Sequence, residues 1–528
     1  MLRKRSLPVA ETELALMAHE AEEACDVLIV GAGAAGLAAA RRLADEATAV
    51  RVVVLEARAR LGGRTHTATG TTAGLTSGAA EVGHVVELGA EFVHGERHRS
   101  AAATWALLDR YGLTANTGSN DALARRSVWV ERGGSVHRLG QCIALEHALT
   151  VAVWGLGGPA ARWAEQQQAQ HHDDRLHPDA VDAARLLPTP GPSLDASGEL
   201  TAEDVQLLHN AAAEYAGADL DDVSLASFLS DDESPPLMEG EEAEAAAADA
   251  AGEEEHSEEE LTAFRLDRGY SELWRRLVAD GPLDVRLGVA VTGLQQEGGT
   301  VRVTTAAVAE PHAGEAVVTT YRARRLIVTV PLALLQRRAL CFEPALSPAK
   351  LNAIDGLGAG HCAKVILTFQ TCFWPEDFSF LFTARPSQLV WRPAEGHSGD
   401  AARSSTVLTA FFGGRACKSL AEKSEAEAVA SVLDDLAQMF DRPMAQLQAE
   451  LVHGQFVNWS KDPWAGMAYS YNPPGSAGLR KELARSEWGG ALCFAGEATH
   501  YGGDYALVSG ALETGTRAAA EALAGLTK

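Results

Sequence analysis

The sequence contains no long apolar run, no paired cysteines and no excess of positive charge. None of its apolar stretches approaches the roughly 18 to 20 residues that a membrane-spanning helix needs, so no transmembrane anchor is expected. Its seven cysteines are scattered and never spaced C-x-x-C, which predicts reduced thiols in a cytoplasmic protein and neither a disulfide framework nor a metal site. Import into an organelle stays open as an alternative, because Arg3, Lys4 and Arg5 form a weak transit-like start.

The charge balance bears on the partners of the protein. With a formal net charge of −26, the surface repels nucleic-acid backbones and anionic membranes, so no nucleic acid is expected as a partner. The same surface favours the approach of cations, over a range that salt screens. The composition leaves the oligomeric state open.

The order of apolar segments predicts an α/β protein. At 528 residues the chain is long enough for two domains. Residues 26–30 predict a buried strand, a glycine loop and an alanine-rich helix follow, and residues 51–56 predict a second strand, which together form a β-α-β unit. Further segments predict strands at 283–287, 301–304, 326–330 and 364–369, and helices at 424–440 and 509–523.

Three segments depart from this pattern. Residues 1–24 predict a disordered leader, and residues 165–200, rich in Gln, His, Asp and Pro, predict a loop-rich excursion. Residues 231–260 form a block of acidic residues around an alanine tract without aromatics. Such a block predicts a disordered insert, either a plain solvated linker or a segment that attracts polycations.

The glycine loop at residues 31–36 carries the strongest functional signal. Gly31 permits the tight turn, Gly33 lets the backbone approach a pyrophosphate, and Gly36, after Ala35, allows the helix to pack on the strand. Glu56 ends the second strand, where an acidic side chain accepts hydrogen bonds from the adenosine ribose. Strand, loop, helix and acid together predict a dinucleotide site.

A second turn follows this unit. Arg58, Gly63 and Arg64 supply another close backbone approach and a guanidinium fork suited to a pyrophosphate. Simple NAD dehydrogenases do not need this element. A pyridine-nucleotide reductase needs a second dinucleotide loop, and the only candidate, residues 356–360, leads from a helical stretch into a strand, which argues against that class.

With these two turns the chain resembles the flavin-containing amine oxidases, a family that includes monoamine oxidases, polyamine oxidases and lysine-specific histone demethylases. The resemblance implies non-covalent FAD, because Ala468 stands where membrane-anchored monoamine oxidases carry the cysteine that binds the flavin. It implies that FAD contacts lie along the whole chain. Beyond the two turns these are Gly89 and Ala90 beside the flavin ring, Val291 at the adenine, Trp459 against the flavin, Gly496 and Glu497 at the pyrophosphate and ribityl chain, and Leu507 and Val508 at the pyrimidine edge.

The same resemblance implies a fold and its domains. An α/β, Rossmann-type FAD-binding domain is assembled from the discontinuous segments 25–110, 265–335 and 455–528. An α+β substrate-binding domain then comprises residues 111–264 and 336–454, with the acidic insert 231–260 inside it.

The resemblance also assigns the residues of the chemistry. In that family a hydride passes from the C–H beside an amine nitrogen to flavin N5 and O2 then accepts the electrons, so that amine, water and O2 give aldehyde, a shorter amine and H2O2. Lys364 matches the family lysine that is bonded through water to N5, and Tyr469 matches a tyrosine that walls the amine site. His94 would line the substrate channel, and Glu91 would attract one end of a polyamine.

The second wall of the amine site departs from the monoamine oxidase pattern. Leu507 stands where those enzymes have a second tyrosine, and Tyr505 is the residue that could compensate. This departure shifts the balance towards polyamine oxidases, with small-molecule amines and O2 as partners. Monoamine oxidase, L-amino-acid oxidase, lysine demethylase and a non-catalytic flavoprotein scaffold remain alternatives, although Phe92 replaces the arginine that grips a carboxylate in many L-amino-acid oxidases.

Overall fold

The computed structural model describes most of the chain. The described residues are 22–71, 74–76, 85–94, 102–116, 128–142, 145, 201–224, 263–308, 319–375, 378–392 and 406–527. The acidic insert at 231–260 and the predicted excursion at 165–200 lie outside the described residues, as does the leader up to residue 21.

The strands alternate with helices along most of the described chain. The strands are β1 (Glu22–Val30), β2 (Val52–Glu56), β3 (Thr67–Thr71), β4 (Gly74–Thr76), β5 (Val85–Glu87), β6 (Phe92–His94), β7 (Ala115–Asn116), β8 (Val128–Arg132), β9 (Ser135–Arg138), β10 (Ala263–Leu266), β11 (Asp284–Leu287), β12 (Val289–Glu297), β13 (Thr300–Ala307), β14 (Thr320–Val328), β15 (Cys341–Glu343), β16 (Gly358–Ala359), β17 (Cys362–Phe369), β18 (Phe380–Phe382), β19 (Leu389–Trp391), β20 (Val407–Gly413), β21 (Leu451–Asn458), β22 (Ser470–Tyr471) and β23 (Leu492–Phe494). The α-helices are α1 (Ala34–Glu46), α2 (Ala102–Tyr111), α3 (Ala202–Ala216), α4 (Gly269–Ala279), α5 (Leu332–Gln336), α6 (Pro348–Gly356), α7 (Gly414–Ala421), α8 (Glu425–Met439), α9 (Met444–Glu450), α10 (Leu479–Ala484) and α11 (Val508–Leu526).

The first large sheet is built from distant parts of the chain. Its order is β11-β2-β1-β14-β13-β12-β15, and β23 also pairs with β14. β1 lies parallel to both β2 and β14, with Val30 opposite Leu55 on one side and Val328 on the other. The C-terminal parts of these strands, residues 27–30, 53–55 and 326–328, are apolar and buried, as expected for a parallel sheet that helices cover.

Helices α1 and α11 cover one face of this sheet. Both are rich in small residues, so their backbones approach closely. A Cβ added to Gly515 of α11 would lie 2.1 Å from the carbonyl oxygen of Ala35 in α1. Glycine is therefore required at position 515, and the contact ties the last helix of the chain to the helix that follows the glycine loop.

The second large sheet has the order β21-β17-β20-β19-β18-β8-β9. β17 lies between β20 and β21 and is antiparallel to both. Buried apolar residues of α8, including Leu433 and Leu436, pack against this sheet in one continuous core with Val365 and Leu367. This sheet is the scaffold that positions Lys364.

The predicted fold class is confirmed: a Rossmann-type α/β unit from discontinuous segments is joined to an α+β unit. The domain bounds remain a prediction, and the strands move three of them. β1 begins at Glu22, inside the predicted leader, because Glu22 already pairs with Thr320. β15 belongs to the first sheet through β12, and β21, which crosses the predicted bound at 455, belongs to the second through β17.

Two further features bear on the classes considered above. Residues 356–360, the candidate second dinucleotide loop, run from the end of α6 through β16 towards β17. This helix-to-strand direction is the reverse of a dinucleotide loop. Among the described residues, no helix has the length and apolar character needed to span a membrane.

Candidate active site

The glycine loop connects β1 to α1 and forms a tight cradle. Gly31 has φ +105°, and a Cβ there would lie 2.6 Å from Thr329 Oγ1. A Cβ on Gly36 would lie 1.9 Å from the carbonyl oxygen of Gly31. At Gly33 the nearest atom to an added Cβ is the Gly63 Cα, 4.0 Å away. The protein itself therefore leaves room at Gly33, where the loop faces the second turn and a pyrophosphate fits.

Glu56 is fixed beside this loop. Its Oε2 accepts a hydrogen bond from the Ala32 N–H, and its Oε1 accepts one from the Arg58 N–H, both at 2.8 Å. Each carboxylate oxygen keeps a further lone pair, so the acid can also accept hydrogen bonds from ribose hydroxyls. This position agrees with the role predicted for Glu56.

Arg58 makes a contact that the sequence did not predict. Its guanidinium forms a bidentate ion pair with Asp462, at 2.8 and 2.6 Å, and lies over the ring of Trp459. The Trp459 indole N–H donates to the carbonyl oxygen of Leu88. The side chain of Arg58 thus holds the segment around Trp459 in place. Its guanidinium binds Asp462 and does not make the predicted direct contact with a pyrophosphate.

Arg64 retains groups that could bind a phosphate. Its Nη1 donates to the Ala468 carbonyl oxygen and to Glu497 Oε1, at 2.7 and 2.9 Å. Within the described residues, its other two nitrogens donate no hydrogen bond. The geometry therefore fits a guanidinium that is held by one nitrogen and free to meet a pyrophosphate with the others.

Glu497 lies at the centre of a buried network. Its carboxylate accepts hydrogen bonds from Arg64, from the hydroxyl of Ser470 and from the backbone N–H of Ala506. Burial would raise the pKa of Glu497, but Arg64 and the buried Arg480 outweigh it and hold the pKa below its usual range. Gly496 has φ +122°, and an added Cβ would find its nearest neighbour, the Thr329 carbonyl oxygen, 3.8 Å away. Open space at Gly496 is what a bound cofactor needs.

The N-terminus of α11 is uncapped. Its N-cap residue, Leu507, provides no side-chain hydrogen bond to the first turn, which begins at Val508. Backbone N–H groups at a buried helix start need partners, and their dipole favours negative charge. This end of α11 therefore suits the electron-rich pyrimidine edge of a flavin. Val291 lies in β12 at a register shift between Val291 and Gly293, where the ladder with β13 is interrupted.

Lys364 meets the turn at Gly89. It is 4% exposed, and its Nζ donates to the carbonyl oxygens of Glu87 and Gly89 at 2.9 and 2.8 Å. Its third partner is Glu91 Oε2 at 3.1 Å. A Cβ on Gly89 would lie 1.8 Å from the Arg64 carbonyl oxygen, and the Ala90 N–H donates to that same oxygen. The lysine is thus fixed against the segment predicted to face the flavin ring.

Glu91 requires a correction to its predicted role. Both of its oxygens accept from the indole N–H of Trp391 at 3.0 Å, and Oε1 also accepts from Arg265 Nε at 2.9 Å. Burial would raise its pKa, but Lys364 and Arg265 outweigh burial and lower it. A carboxylate with these partners is not placed to attract a polyamine end, so the predicted substrate contact is not supported.

Tyr469 packs against buried residues of the second large sheet. Its hydroxyl donates to the Glu214 carbonyl oxygen at 2.5 Å, and its ring lies against Gly217, which ends α3 in the left-handed region at φ +64°. A Cβ on Gly217 would lie 2.7 Å from Tyr469 Cε2. The ring therefore has one fixed position, which suits the predicted wall of an amine site.

Glu214, whose backbone carbonyl oxygen accepts the hydrogen bond from Tyr469, carries a titratable side chain. Burial raises the pKa of Glu214 to about 8, an effect that Lys364 opposes, yet its side chain is partly accessible. His94, at the end of β6, is exposed. The channel role of His94 remains a prediction.

Tyr505 makes a different contact from the one predicted. The Arg480 guanidinium lies 3.8 Å from the centre of its ring, and Arg480 also donates to Ser470 Oγ. One face of Tyr505 is therefore covered by the arginine of the Glu497 network. Leu507, the other residue predicted near the second wall, is the N-cap residue of α11.

Sequence reasoning missed Glu214, Arg265, Trp391, Asp462 and Arg480. Glu214 sits near the end of an ordinary capped helix, where an acid looks like a solvated residue. The strand positions of Arg265 and Trp391 carry no motif. Only the left-handed Gly217 after α3 gave a local hint that something approaches that helix end.

The glycine loop, Glu56 and the turn at Gly63 together form a site that fits a dinucleotide cofactor. The sequence profile of flavin-containing amine oxidoreductases matches residues 34–523, and the chain belongs to this family. FAD is accordingly its cofactor.

Two relatives and one solved structure illustrate the similarity. Lysine-specific histone demethylase 2 of Homo sapiens is 29% identical over 494 residues, which cover 90% of this chain and 50% of the demethylase. Polyamine oxidase 5 of Oryza sativa subsp. japonica is 26% identical over 479 residues, covering 89% of this chain and 82% of that protein. The chain thus spans about half the length of the demethylases it matches. A double mutant of putrescine oxidase shares the fold, with a TM-score of 0.67 at 21% identity, covering 95% of this chain and all of that one.

Proposed function

We propose that the protein is an oxidase of polyamines, with spermine, spermidine or their N-acetylated forms as substrates and O2 as the electron acceptor. The observation that carries this proposal is Glu214, a partly accessible acid with a raised pKa whose backbone carbonyl oxygen is bonded to Tyr469. An aromatic face orients one amine nitrogen, and an acid without an ion-pair partner in the described structure can bind a second, charged nitrogen. A substrate with two nitrogens at a distance satisfies both groups.

The chemistry divides between the cofactor and the chain. Bound FAD would accept the electrons of the C–H beside nitrogen. The chain's own residues would bind and orient the amine and exclude water, through Tyr469, Glu214 and His94, while Lys364 would keep a positive charge next to the flavin segment. Because Ala468 offers no thiol, FAD would be held without a covalent bond. We place the enzyme in the cytoplasm, with import into an organelle as the alternative.

An anaerobic reduction assay tests this proposal. The purified, FAD-loaded protein is mixed with spermine, N-acetylspermine, a simple monoamine, an amino acid and a peptide with methylated lysine, and the flavin absorption is followed. We expect polyamines to bleach the flavin fastest, and air to restore the absorption with release of H2O2. If bound flavin resists every amine, the protein is a non-catalytic flavoprotein, and if only the methylated peptide reduces it, the demethylase alternative is correct.

Gly217→Ala tests the fixed position of Tyr469. Because the added methyl group would overlap Tyr469 Cε2 at 2.7 Å, the ring must move, and we expect kcat/KM for the polyamine to fall on the order of tenfold, a cost of about 1.4 kcal/mol. Gly112→Ala is the matched control, because Gly112 has φ +58° and no atom within 4 Å of an added Cβ. Both variants carry left-handed strain, but only the first touches the wall. Equal losses of kcat/KM in the two variants would show that strain alone acts.

A further inference from the structure

The ammonium of Lys364 has three hydrogen-bond donors and three acceptors. Two acceptors are backbone carbonyl oxygens, of Glu87 and Gly89, and the third is the carboxylate of Glu91. Lys364 also lies 5.1 Å from the ring centre of Trp391. Of the three acceptors, only Glu91 carries a charge, so it alone compensates the cation.

Glu91 is shared with a second cation. Arg265 pairs with it through Nε at 2.9 Å and lies over the Phe92 ring at 4.5 Å. Glu91, Arg265 and Lys364 are each less than a tenth exposed, so their charges interact with little screening. Two cations around one carboxylate leave one net positive charge in the protein interior beside the turn at Gly89.

Other charged groups face this cluster. Burial raises the pKa of Glu87 to about 7, although hydrogen bonds from the Tyr270 N–H and the Thr67 hydroxyl oppose the rise. Glu214 also interacts electrostatically with Lys364. Arg392 lies near Arg265. At pH 6 both Glu87 and Glu214 are largely neutral, so Glu91 is then the main negative charge close to Lys364.

We propose that Glu91 is a positioning residue: it holds the Lys364 ammonium against the turn at Gly89 and limits the positive charge that the flavin experiences. This inference rests on the FAD-dependent function above and replaces the predicted role of Glu91 in substrate binding. Without the Glu91 carboxylate, the long, flexible side chain of Lys364 would keep only its two backbone carbonyl acceptors. The two cations would also repel each other without an anion between them.

The reduction potential of the bound FAD tests this proposal without any amine. At pH 6, Glu91→Gln removes a negative charge near the flavin, which stabilises the anionic reduced form. We expect the equilibrium constant for two-electron reduction to rise roughly tenfold, which is about 30 mV. Lys364→Met should lower it by a similar factor, and the double variant should return close to the wild-type value. The measurement is an equilibrium titration with a chemical reductant and a reference dye.

The rate at which O2 reoxidises the chemically reduced protein distinguishes the position of the Lys364 ammonium from the charge of residue 91. Glu91→Asp keeps the charge but shortens the reach to Lys364, so we expect an unchanged potential and slower reoxidation. In a Lys364→Met background, Glu91→Gln should slow reoxidation no further. The control is Glu131→Gln, which makes the same change at a buried carboxylate paired with Arg385 in the second sheet.

Three outcomes would overturn the proposal: a potential unchanged in Glu91→Gln, an equal shift in Glu131→Gln, or an effect of Glu91→Gln on reoxidation that is equally large with and without Lys364. Because chemical reduction needs no amine, these results stand even if no polyamine is oxidised. If the variants show the expected potentials but no polyamine reduces the flavin, only the substrate assignment is refuted.

Discussion

Gly33→Ala is expected to leave the protein folded and to weaken FAD binding by a factor of roughly 100 or more. An alanine at this position meets no protein atom within 4 Å except the Gly63 Cα at 4.0 Å, and the φ of −77° suits any residue. The added methyl group would instead occupy the approach of the pyrophosphate to the start of α1. Losing about two hydrogen bonds to a charged group, each worth about 1.5–3 kcal/mol, gives this factor.

Gly36→Ala is the contrasting variant. Its Cβ would lie 1.9 Å from the Gly31 carbonyl oxygen, so β1 and α1 cannot keep their spacing. We expect loss of both FAD and thermal stability, whereas Gly33→Ala should lose only FAD. Fluorescence titration of apoprotein with FAD, together with thermal unfolding of the apoproteins, separates the two cases. Wild-type FAD affinity in Gly33→Ala would refute the placement of the pyrophosphate.

The second large effect is expected for Glu214→Gln. We expect kcat/KM for spermine at pH 8.5 to fall by roughly 10- to 100-fold, because a hydrogen bond between two charged groups is lost. A monoamine of similar reactivity lacks the second nitrogen and should change less than about threefold. Glu203→Gln, the same change in the first turn of the same helix α3, is the control. An equal loss for monoamine and spermine would contradict a contact with the second nitrogen.

The pH dependence of this effect follows from burial. The pKa of Glu214 is raised to about 8, so the carboxylate that attracts a cation dominates only above that pH. The ratio of kcat/KM for spermine to that for the monoamine should therefore rise with pH and level off above about 8, and the ratio should be flat in Glu214→Gln. A steady-state series from pH 6 to 9.5 measures both profiles.

The same shift has a consequence for stability. Because the folded-state pKa lies above the usual value of 4.5, the folded protein loses stability as pH rises from about 4.5 to about 8. The melting temperature of Glu214→Gln relative to the wild type should therefore increase over this range. This readout is independent of catalysis and reports whether the pKa of Glu214 is raised in the folded protein.

The cofactor side of the site could be predicted because its signals are local. The positions of Gly31, Gly33, Gly36 and Glu56 follow from one β-α-β unit, in which the backbone fixes each role. The FAD assignment needed only the further motifs around Gly63 and Gly496. Short-range geometry of this kind is visible in a sequence.

The substrate side could not be predicted to the same depth because its contacts join distant segments. The sequence predicted Glu91 as a free acid on a channel, because no residue near it in the sequence indicates that Arg265, Trp391 or Lys364 is its partner. Arg58 was expected at the pyrophosphate, but its ion-pair partner Asp462 lies far along the chain. The assignment of a charged side chain depends on which opposite charge the fold brings to it, and a sequence motif does not contain that information.

The parallel pairing of β1 with β14 has a consequence for how the chain acquires its fold. Glu22 lies opposite Thr320, and β23 and α11 join the same unit from the end of the chain. During synthesis, β1, β2 and α1 must wait for most of the chain before their apolar faces are covered. Contacts between residues so far apart in the sequence slow folding and leave intermediates with exposed apolar surface that aggregate easily. We therefore expect FAD to bind only after β23 and α11 have joined this unit. Free FAD should raise the yield of refolded protein, because it binds and stabilises the folded state.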